Sequence, residues 1–241
     1  CCNLYILSFA SFLSNHYSLD EHRSNPFIRG TAQNPDFFFQ SREAANLYHW
    51  HVPYVVEETM NRFAILTGRQ YKLFEYIGHP EAECMIIIMG IGSGAVEETV
   101  DYLANKGEKV GYLQVRLYRL FSVRHFINAF PKTMKSIALL DRYKETGAIG
   151  EPLFMDVVTA IQASWNDDMP KIIGGRYGLA SKEFNPAMIK ARFDEINKKH
   201  PKKSFTIGID DDVTFTSLNY DKSFSLENQH LFRGLFFWLR C

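Results

Sequence analysis

The chain has 241 residues, of which 46% are hydrophobic and 15% aromatic, so it can bury a sizeable core and is not an intrinsically disordered protein. Its 27 basic residues balance 27 acidic ones, which gives no reason to expect a nucleic acid or an anionic membrane as a partner. The four cysteines, Cys1, Cys2, Cys84 and Cys241, form neither a disulfide framework nor a CxxC metal site. No apolar run reaches the roughly 20 residues that span a bilayer. We therefore expect a soluble protein of a reducing compartment, not a secreted one.

The two ends of the chain receive no assignment. Residues 4–13 are apolar, but no initiator methionine and no basic segment precede them, so they do not have the features of a signal peptide. The start at Cys-Cys and the end in an aromatic stretch indicate a partial chain. Residues 1–25 and 225–241 stay unassigned, and residues 1–25 are suspected not to be native.

Residues 26–66 predict a loop followed by helical structure. Polar and turn-forming residues dominate 26–46, and we expect there a loop that leads into a short helix. Residues 54–66 place Val55, Met60 and Phe63 at helical spacing, and Gly68 follows as a stop signal. We expect this helix to join two domains, with the second starting near Tyr71.

Residues 82–121 predict one βαβ unit around which the rest of the chain is organised. The run from Cys84 to Met89 is apolar without alternation, which is typical of a strand covered on both faces of a parallel sheet. Glycines follow it, and Val96, Val100 and Leu103 then recur at helical spacing before a second strand over 110–118. This unit predicts an α/β fold, a parallel sheet with helices on both faces.

The flanking segments continue the same alternation of strands and helices. A strand over 71–77 precedes the central unit. Further elements are predicted at 123–129 (helix, with Ser122 as cap), 136–141 (strand), 153–165 (helix), 171–175 (strand), 186–197 (helix) and 205–209 (strand). The polar loop 142–152 follows a strand at the edge where open α/β sheets usually place ligands or interfaces, so it is a functional candidate by position alone.

The segment from Gly90 to Ala95 fits the G-x-G-x-x-A pattern between a strand and a helix. Backbone amides at such a turn can hold a pyrophosphate. The following strand, however, ends in Arg116 where an acidic residue would bind a ribose, so the pattern at best favours the 2′-phosphate of NADP. We predict that Gly92 and Gly94 serve the backbone turn, and NADP(H) binding is the minor alternative.

Three other sets of residues are candidates for metal binding or nucleophilic chemistry, and for each a structural interpretation is preferred. Asp210, Asp211 and Asp212 could supply oxygen ligands for Mg²⁺, but adjacent strand residues alternate faces, so a solvated strand end is the preferred interpretation. His49 and His51 would share one face of a strand, yet no third ligand lies near them. Cys84 lies in an apolar run, which indicates a core thiol instead of a catalytic one.

Six ordered blocks resemble the pyruvate:ferredoxin (flavodoxin) oxidoreductase family. They are residues 29–36 (RGTAQNPD), 39–46 (FQSREAAN), 66–69 (LTGR), 115–119 (VRLYR), 175–184 (GRYGLASKEF) and 211–218 (DDVTFTSL). The resemblance implies that 26–66 close a pyrimidine-binding domain of a thiamine enzyme and that 67–224 form a second domain similar to the C-terminal domain of transketolase. The sequence departs from the family's pattern at Leu120, Tyr143 and Thr146, which affects the shape of two loops.

The resemblance also implies the chemistry of the parent enzyme. Such enzymes decarboxylate pyruvate oxidatively with thiamine diphosphate, Mg²⁺ and [4Fe-4S] clusters, form acetyl-CoA from coenzyme A, and pass electrons to ferredoxin or flavodoxin. It further implies a homodimer, located in the cytoplasm or in an organelle of anaerobic energy metabolism. The family's catalytic, cofactor and metal residues fall outside the matched stretch, so we assign none to this chain and expect it to be inactive alone.

Three alternatives stay open. The parent could be a pyruvate:NADP⁺ oxidoreductase, whose additional domains would lie beyond this chain. In a different class, the chain could be a non-catalytic interaction domain. It could also be an independent NADP-binding module built on the turn at Gly90.

Overall fold

A computed structural model describes residues 34–165 and 168–226, and the chain divides into two units between Tyr48 and His49. The unassigned residues 1–25, most of the first family block and the residues after 226 lie outside the described part. Helix α1 (Pro35–Ala44) is the predicted short helix. Asn34 caps it, because its side-chain oxygen accepts the N–H of Phe37 at 2.9 Å, and Pro35 occupies the first helical turn.

Helix α2 (Asn46–Thr67) is longer than the sequence predicts. The prediction began after Pro53, since an interior proline removes a backbone donor and usually interrupts a helix. In the structure the helix runs through Pro53, which is buried. His49 and His51 therefore lie on a helix and not on a strand, which corrects the geometry considered for them.

The second unit contains a seven-stranded sheet. Its strands are β1 (Phe74–Gly78), β2 (Cys84–Met89), β3 (Val110–Val115), β4 (Ser136–Asp141), β5 (Lys171–Arg176), β6 (Ser204–Ile207) and β7 (Ser217–Leu218). They lie in the order β1-β3-β2-β4-β5-β6-β7. All neighbouring pairs from β3 to β7 are parallel. The predicted parallel α/β sheet is confirmed.

The first strand corrects one expectation, because β1 pairs with β3 in the antiparallel direction. The alternation of strands and helices predicts that the strand over 71–77 is the first of the parallel sheet. Only the short turn 79–83 connects β1 to β2, and a parallel connection needs a crossover of a dozen or more residues. The turn therefore reverses the chain.

Helices cover both faces of the sheet. They are α3 (Ser93–Asn105), α4 (Val123–Ile127), α5 (Pro152–Ser164) and α6 (Pro186–Ile196), and a single 3₁₀ turn spans Leu179–Ser181. Alternate residues of β2 enter two separate apolar clusters: Ile86 and Ile88 pack with α3 and α6, whereas Met85 and Ile87 pack with α4 and α5. This double burial explains why the strand shows no polar alternation.

The central βαβ unit is confirmed, with two local differences. β3 ends at Val115, because the N–H groups of Arg116 and Leu117 both bond to the carbonyl of Leu73 and leave the strand ladder. Ser122 occupies the cap position of α4, but its hydroxyl contacts Nδ1 of His125 at 2.6 Å instead of a backbone amide. Among the described residues, no helix combines the length and apolarity needed to cross a membrane.

Candidate functional site

The carboxyl edge of the parallel strands is the place where this fold offers a site. β2 has β3 on one side and β4 on the other, so the chain order reverses there, and ligands of open α/β sheets bind in the crevice at such a point. The turn after β2, the loop 142–152 after β4 and the segments after β5 and β6 all reach this edge.

Asp141, the last residue of β4, fixes the start of helix α5. Its carboxylate accepts the N–H of Leu153 at 3.2 Å and that of Phe154 at 3.2 Å. The residue is buried, and burial raises the pKa of its carboxyl to about 6, although the two backbone N–H groups act in the opposite direction. A carboxylate at a helix N-terminus is favourable because it satisfies amides that have no partner in the helix.

Glu151 closes the loop that Asp141 begins. Its buried carboxylate lies 3.1 Å from Nη1 of Arg176 and 3.7 Å from Nζ of Lys144, and it accepts the N–H of Glu145. The functional candidate loop 142–152 is thereby attached to the end of β5. The buried carboxylate is thus paired with two cations and one backbone amide of this chain.

Tyr177 follows β5 and lies directly against the turn after β2. A Cβ atom placed on Gly92 would stand 2.5 Å from the Tyr177 hydroxyl. That hydroxyl is buried, has no hydrogen-bond partner among the described residues, and burial raises its pKa to about 12. The close approach of the Tyr177 ring therefore requires a glycine at position 92. This supports the interpretation that Gly92 serves the backbone turn.

The other two glycines of the pattern differ from Gly92. Gly90 has a φ of +78°, a left-handed conformation that favours glycine. Gly94 is exposed in the first turn of α3 and has no atom within 4 Å of the position of an added Cβ. The turn therefore needs Gly90 and Gly92, but nothing in the structure explains a glycine at position 94.

The carboxylates at 210–212 do not converge on a common point. Asp210 pairs with Lys182 at 3.5 Å and Lys222 at 3.1 Å, whereas Asp212 accepts backbone N–H groups of Thr214 and Ser217. These contacts lower the pKa of both carboxyls. Among the described residues no group of three or more His, Cys, Asp or Glu side chains has the arrangement of a metal site.

His49 and His51 do not form a pair on one face. Both are exposed, and residues two apart on a helix point in different directions. The interpretation of surface histidines agrees with this placement.

Cys84 is a core residue, as predicted. It is buried in β2, and burial raises the pKa of its thiol to about 11, which suppresses the thiolate. Its neighbourhood includes Arg192 of α6, whose guanidinium is fully buried and lies 3.7 Å from the centroid of the Phe205 ring.

A groove between the segments after β5 and β6 was not predicted. Its volume is about 620 Å³, and its lining includes Leu179, Lys182, Gly208 and Ile209. Backbone conformations with positive φ flank it, at Ala180 (50°) and Ser181 (62°). The sequence offered one signal for this groove. A glycine directly follows each of two buried residues, Tyr177 and Ile207, at the end of a strand.

Comparisons with known proteins agree with the six blocks. Residues 82–186 match the family model described as pyruvate:ferredoxin oxidoreductase core domain II. A pyruvate-flavodoxin oxidoreductase of Trichormus variabilis is 51% identical over 96% of this chain and 20% of its own length. A pyruvate-flavodoxin oxidoreductase from Rhodospirillum rubrum is 53% identical over 89% of this chain and 18% of its own length. A pyruvate:ferredoxin oxidoreductase of Moorella thermoacetica is 51% identical over 89% of this chain and 18% of its own length.

A solved 2-oxoglutarate:ferredoxin oxidoreductase from Magnetococcus marinus is 25% identical over 55% of this chain and 20% of that chain, with a TM-score of 0.38. The sequence relatives confirm the resemblance inferred from the blocks. The chain spans about a fifth of the length of these curated relatives.

Proposed function

Because the chain carries core domain II of the pyruvate:ferredoxin oxidoreductase family, we propose that it is one part of a longer enzyme that converts pyruvate and coenzyme A to acetyl-CoA and CO₂. Electrons would pass to ferredoxin or flavodoxin. The observation that carries this proposal is the identity of about half of all residues over 89–96% of the chain with relatives of those names. Within that enzyme, we assign this part a structural, interdomain role.

The described residues do not fit the cofactors that the family implies. Cys84 is the only described cysteine and is buried in β2, so the described part cannot hold a [4Fe-4S] cluster by the usual set of four thiolates. The carboxylates of Asp210 and Asp212 face lysines and backbone amides instead of one Mg²⁺. The buried carboxylate of Glu151 is paired with Arg176 and Lys144. Other parts of the longer enzyme would have to bind these groups.

The test compares two proteins in one assay, pyruvate-dependent reduction of a viologen dye with thiamine diphosphate, Mg²⁺ and coenzyme A supplied. The first is the chain of 241 residues, which we expect to show no turnover above a protein-free control. The second is the product of the gene region extended on both sides to the length of the relatives, which we expect to turn over. Omitting coenzyme A is the matched control for both.

Each outcome separates the proposed function from one alternative. Turnover by the short chain that stops without coenzyme A would place the active site inside these residues and contradict the proposal. An extended protein that reduces the dye with another 2-oxo acid but not with pyruvate would contradict the assignment of pyruvate as the substrate. Transfer of electrons to NADP⁺ would identify the alternative parent enzyme.

A further inference from the structure

The groove beside β6 has the size of a small-molecule site. Its volume is about 620 Å³, and sites for small ligands occupy roughly 300–1,000 Å³. It opens between the segment after β5 and the connection from β6 to β7, and the buried residues Tyr177 and Ile207 are part of its lining. The structural, interdomain role proposed above does not use this recess.

Strained backbone lies on both sides of the groove. Among the described residues, three that are not glycine have positive φ: Ala180 (50°), Ser181 (62°) and Phe215 (55°). The first two directly follow the lining residue Leu179, and Phe215 lies between two threonines that line the opposite side. Such conformations cost about 1–3 kcal/mol each and cluster at ligand clamps and active sites. Their positions indicate that both walls of the groove are shaped for a ligand.

Two lysines of the lining, Lys144 and Lys182, are surplus to the ion pairs around them. Lys144 lies 3.7 Å from its nearest carboxylate and Lys182 lies 3.5 Å from its own. Each of these carboxylates already has a closer basic partner at 3.1 Å, namely Arg176 for Glu151 and Lys222 for Asp210. A lysine ammonium is a compact point charge and a common phosphate ligand in proteins. The groove therefore presents two cations to an anion.

The wall on the β6 side offers hydroxyl groups and one unpaired carboxylate. The Thr216 hydroxyl lies 3.2 Å from that of Thr206 and 2.8 Å from that of Thr214, and all three threonines line the groove. Asp211 lines it as well, and its carboxylate has neither an ion pair nor a hydrogen bond within the described part of the chain. In α/β proteins an acidic side chain of this kind accepts hydrogen bonds from the hydroxyls of a ribose.

Leu179 and Ile209 supply the apolar part of the groove. They follow β5 and β6, which are neighbours in the sheet, and they are 41% and 47% exposed. A flat ring placed between the two side chains would remove apolar surface from water on both of its faces. The groove thus combines an apolar slot, a carboxylate with hydroxyls, and a pair of cations.

We propose that the groove binds a nucleoside 5′-monophosphate, with the base between Leu179 and Ile209, the ribose hydroxyls at Asp211, and the phosphate at Lys144 and Lys182. An inorganic anion would leave the apolar slot empty, and an apolar ligand would leave both lysines and the carboxylate without partners. A free terminal phosphate is required because its dianion matches two cations. The site goes beyond the proposed enzymatic function and does not rest on it.

Isothermal titration calorimetry of the purified 241-residue chain with AMP tests the site. We expect saturable binding of one AMP per chain with a dissociation constant below about 1 mM. Affinity should fall at least about tenfold in the double variant Lys144→Ala with Lys182→Ala, which removes both phosphate ligands, and also in Asp211→Asn. Lys190→Ala, a lysine that pairs with Asp194 outside the groove, is the matched control and should leave the affinity unchanged.

Truncated and extended ligands test each part of the assignment. Adenosine, which lacks the phosphate, and ribose 5-phosphate, which lacks the base, should bind at least about tenfold more weakly than AMP. NADH, whose 5′-phosphate is esterified, and coenzyme A, which carries a phosphate on the ribose, should not displace AMP. Hydrogen exchange with AMP present should show protection of residues 178–182 and 208–216.

The contradicting outcomes are distinct. Absence of saturable binding up to about 5 mM AMP overturns the proposal. The same holds for unchanged affinity in the double lysine variant, once circular dichroism shows that it is folded. Inorganic phosphate that binds as tightly as AMP overturns the assignment of a nucleoside, and displacement by NADH or coenzyme A overturns the requirement for a free 5′-phosphate. Protection confined to the turn after β2 places the ligand elsewhere and also overturns it.

Discussion

Arg116 and Glu75 form an ion pair across the antiparallel edge of the sheet, with Nη2 of the arginine 2.5 Å from Oε2 of the glutamate. The guanidinium also lies 4.8 Å from the centroid of the Tyr71 ring. Arg116 was the residue expected to receive a 2′-phosphate if the turn at Gly90 bound NADP. Its charge is instead matched inside the protein, because β1 brings a carboxylate beside the end of β3.

We predict no saturable micromolar binding of NADPH or NADH, measured by quenching of intrinsic fluorescence. The engaged guanidinium of Arg116 and the ring of Tyr177 against Gly92 leave no prepared site for the dinucleotide. Micromolar binding that disappears in Gly92→Val would reverse this conclusion and support the NADP-binding module.

Glycine variants separate the steric role from a ligand role without any nucleotide. Gly92→Ala should lower the free energy of unfolding by about 1–3 kcal/mol, since its Cβ would overlap the Tyr177 ring. Gly94→Ala, in open space on the same turn, should be neutral or stabilise by about 0.5 kcal/mol. If Gly92→Ala and Gly94→Ala change the free energy of unfolding in urea by the same amount, the close approach of Tyr177 is not the reason for the glycine at position 92.

Asp141 should make stability fall as pH rises through the acidic range. Burial raises its pKa to about 6 in the folded protein, above the usual aspartate value, so the folded state binds an extra proton between about pH 4 and 6 and this contribution is lost above 6. The size is roughly 3 kcal/mol, at about 1.4 kcal/mol for each pKa unit. Urea unfolding at pH 4 to 7 measures it.

The comparison is between the native chain and Asp141→Asn, which keeps an acceptor for the amides of Leu153 and Phe154 but does not titrate. Carboxyls with lowered pKa, such as that of Asp212, contribute the opposite slope, so only the difference between the two proteins is informative. Asp194→Asn, at an exposed helical pair with Lys190, is the control that should retain the slope. An identical pH profile for Asp141→Asn would refute the assignment.

Arg192 and Arg176 should respond in opposite ways to replacement by methionine. None of the side-chain nitrogens of Arg192 has a hydrogen-bond partner among the described residues, and burial lowers its pKa to about 9. Arg192→Met should therefore be neutral or stabilise by about 1–4 kcal/mol, because it removes a desolvated charge and keeps the volume. Arg176→Met should cost about 3–5 kcal/mol, because it removes the nearer of the two cations that face the buried carboxylate of Glu151 and leaves only Lys144 at 3.7 Å. A large loss in Arg192→Met, measured by urea unfolding, would contradict this account.

Limited digestion with trypsin should first cut between residues 62 and 72. The segment from Gly68 to Leu73 has neither helix nor strand, and Arg69 and Lys72 in it are exposed. This junction separates the predicted domains 26–66 and 67–224. Arg69→Gln with Lys72→Gln should remove the early cuts, whereas first cuts inside 82–121 would contradict the proposed order of domains.

Local sequence pattern determined most elements of this fold. The apolar run Cys84–Met89, the helical spacing of Val96, Val100 and Leu103, and the strand Ser136–Asp141 were predicted closely, because each follows from side-chain periodicity and burial within one short segment. The loop 142–152 was placed at the carboxyl edge of the sheet by its position after a strand alone.

Tertiary structure decided the features that depend on partners distant in the chain. The direction of β1, the pairing of Arg116 with Glu75, the contact of Tyr177 with Gly92 and the groove beside Leu179 each join residues from separate elements. No periodicity within one segment encodes such contacts, because they arise only when the strand order brings loops from different parts of the chain to the same edge of the sheet.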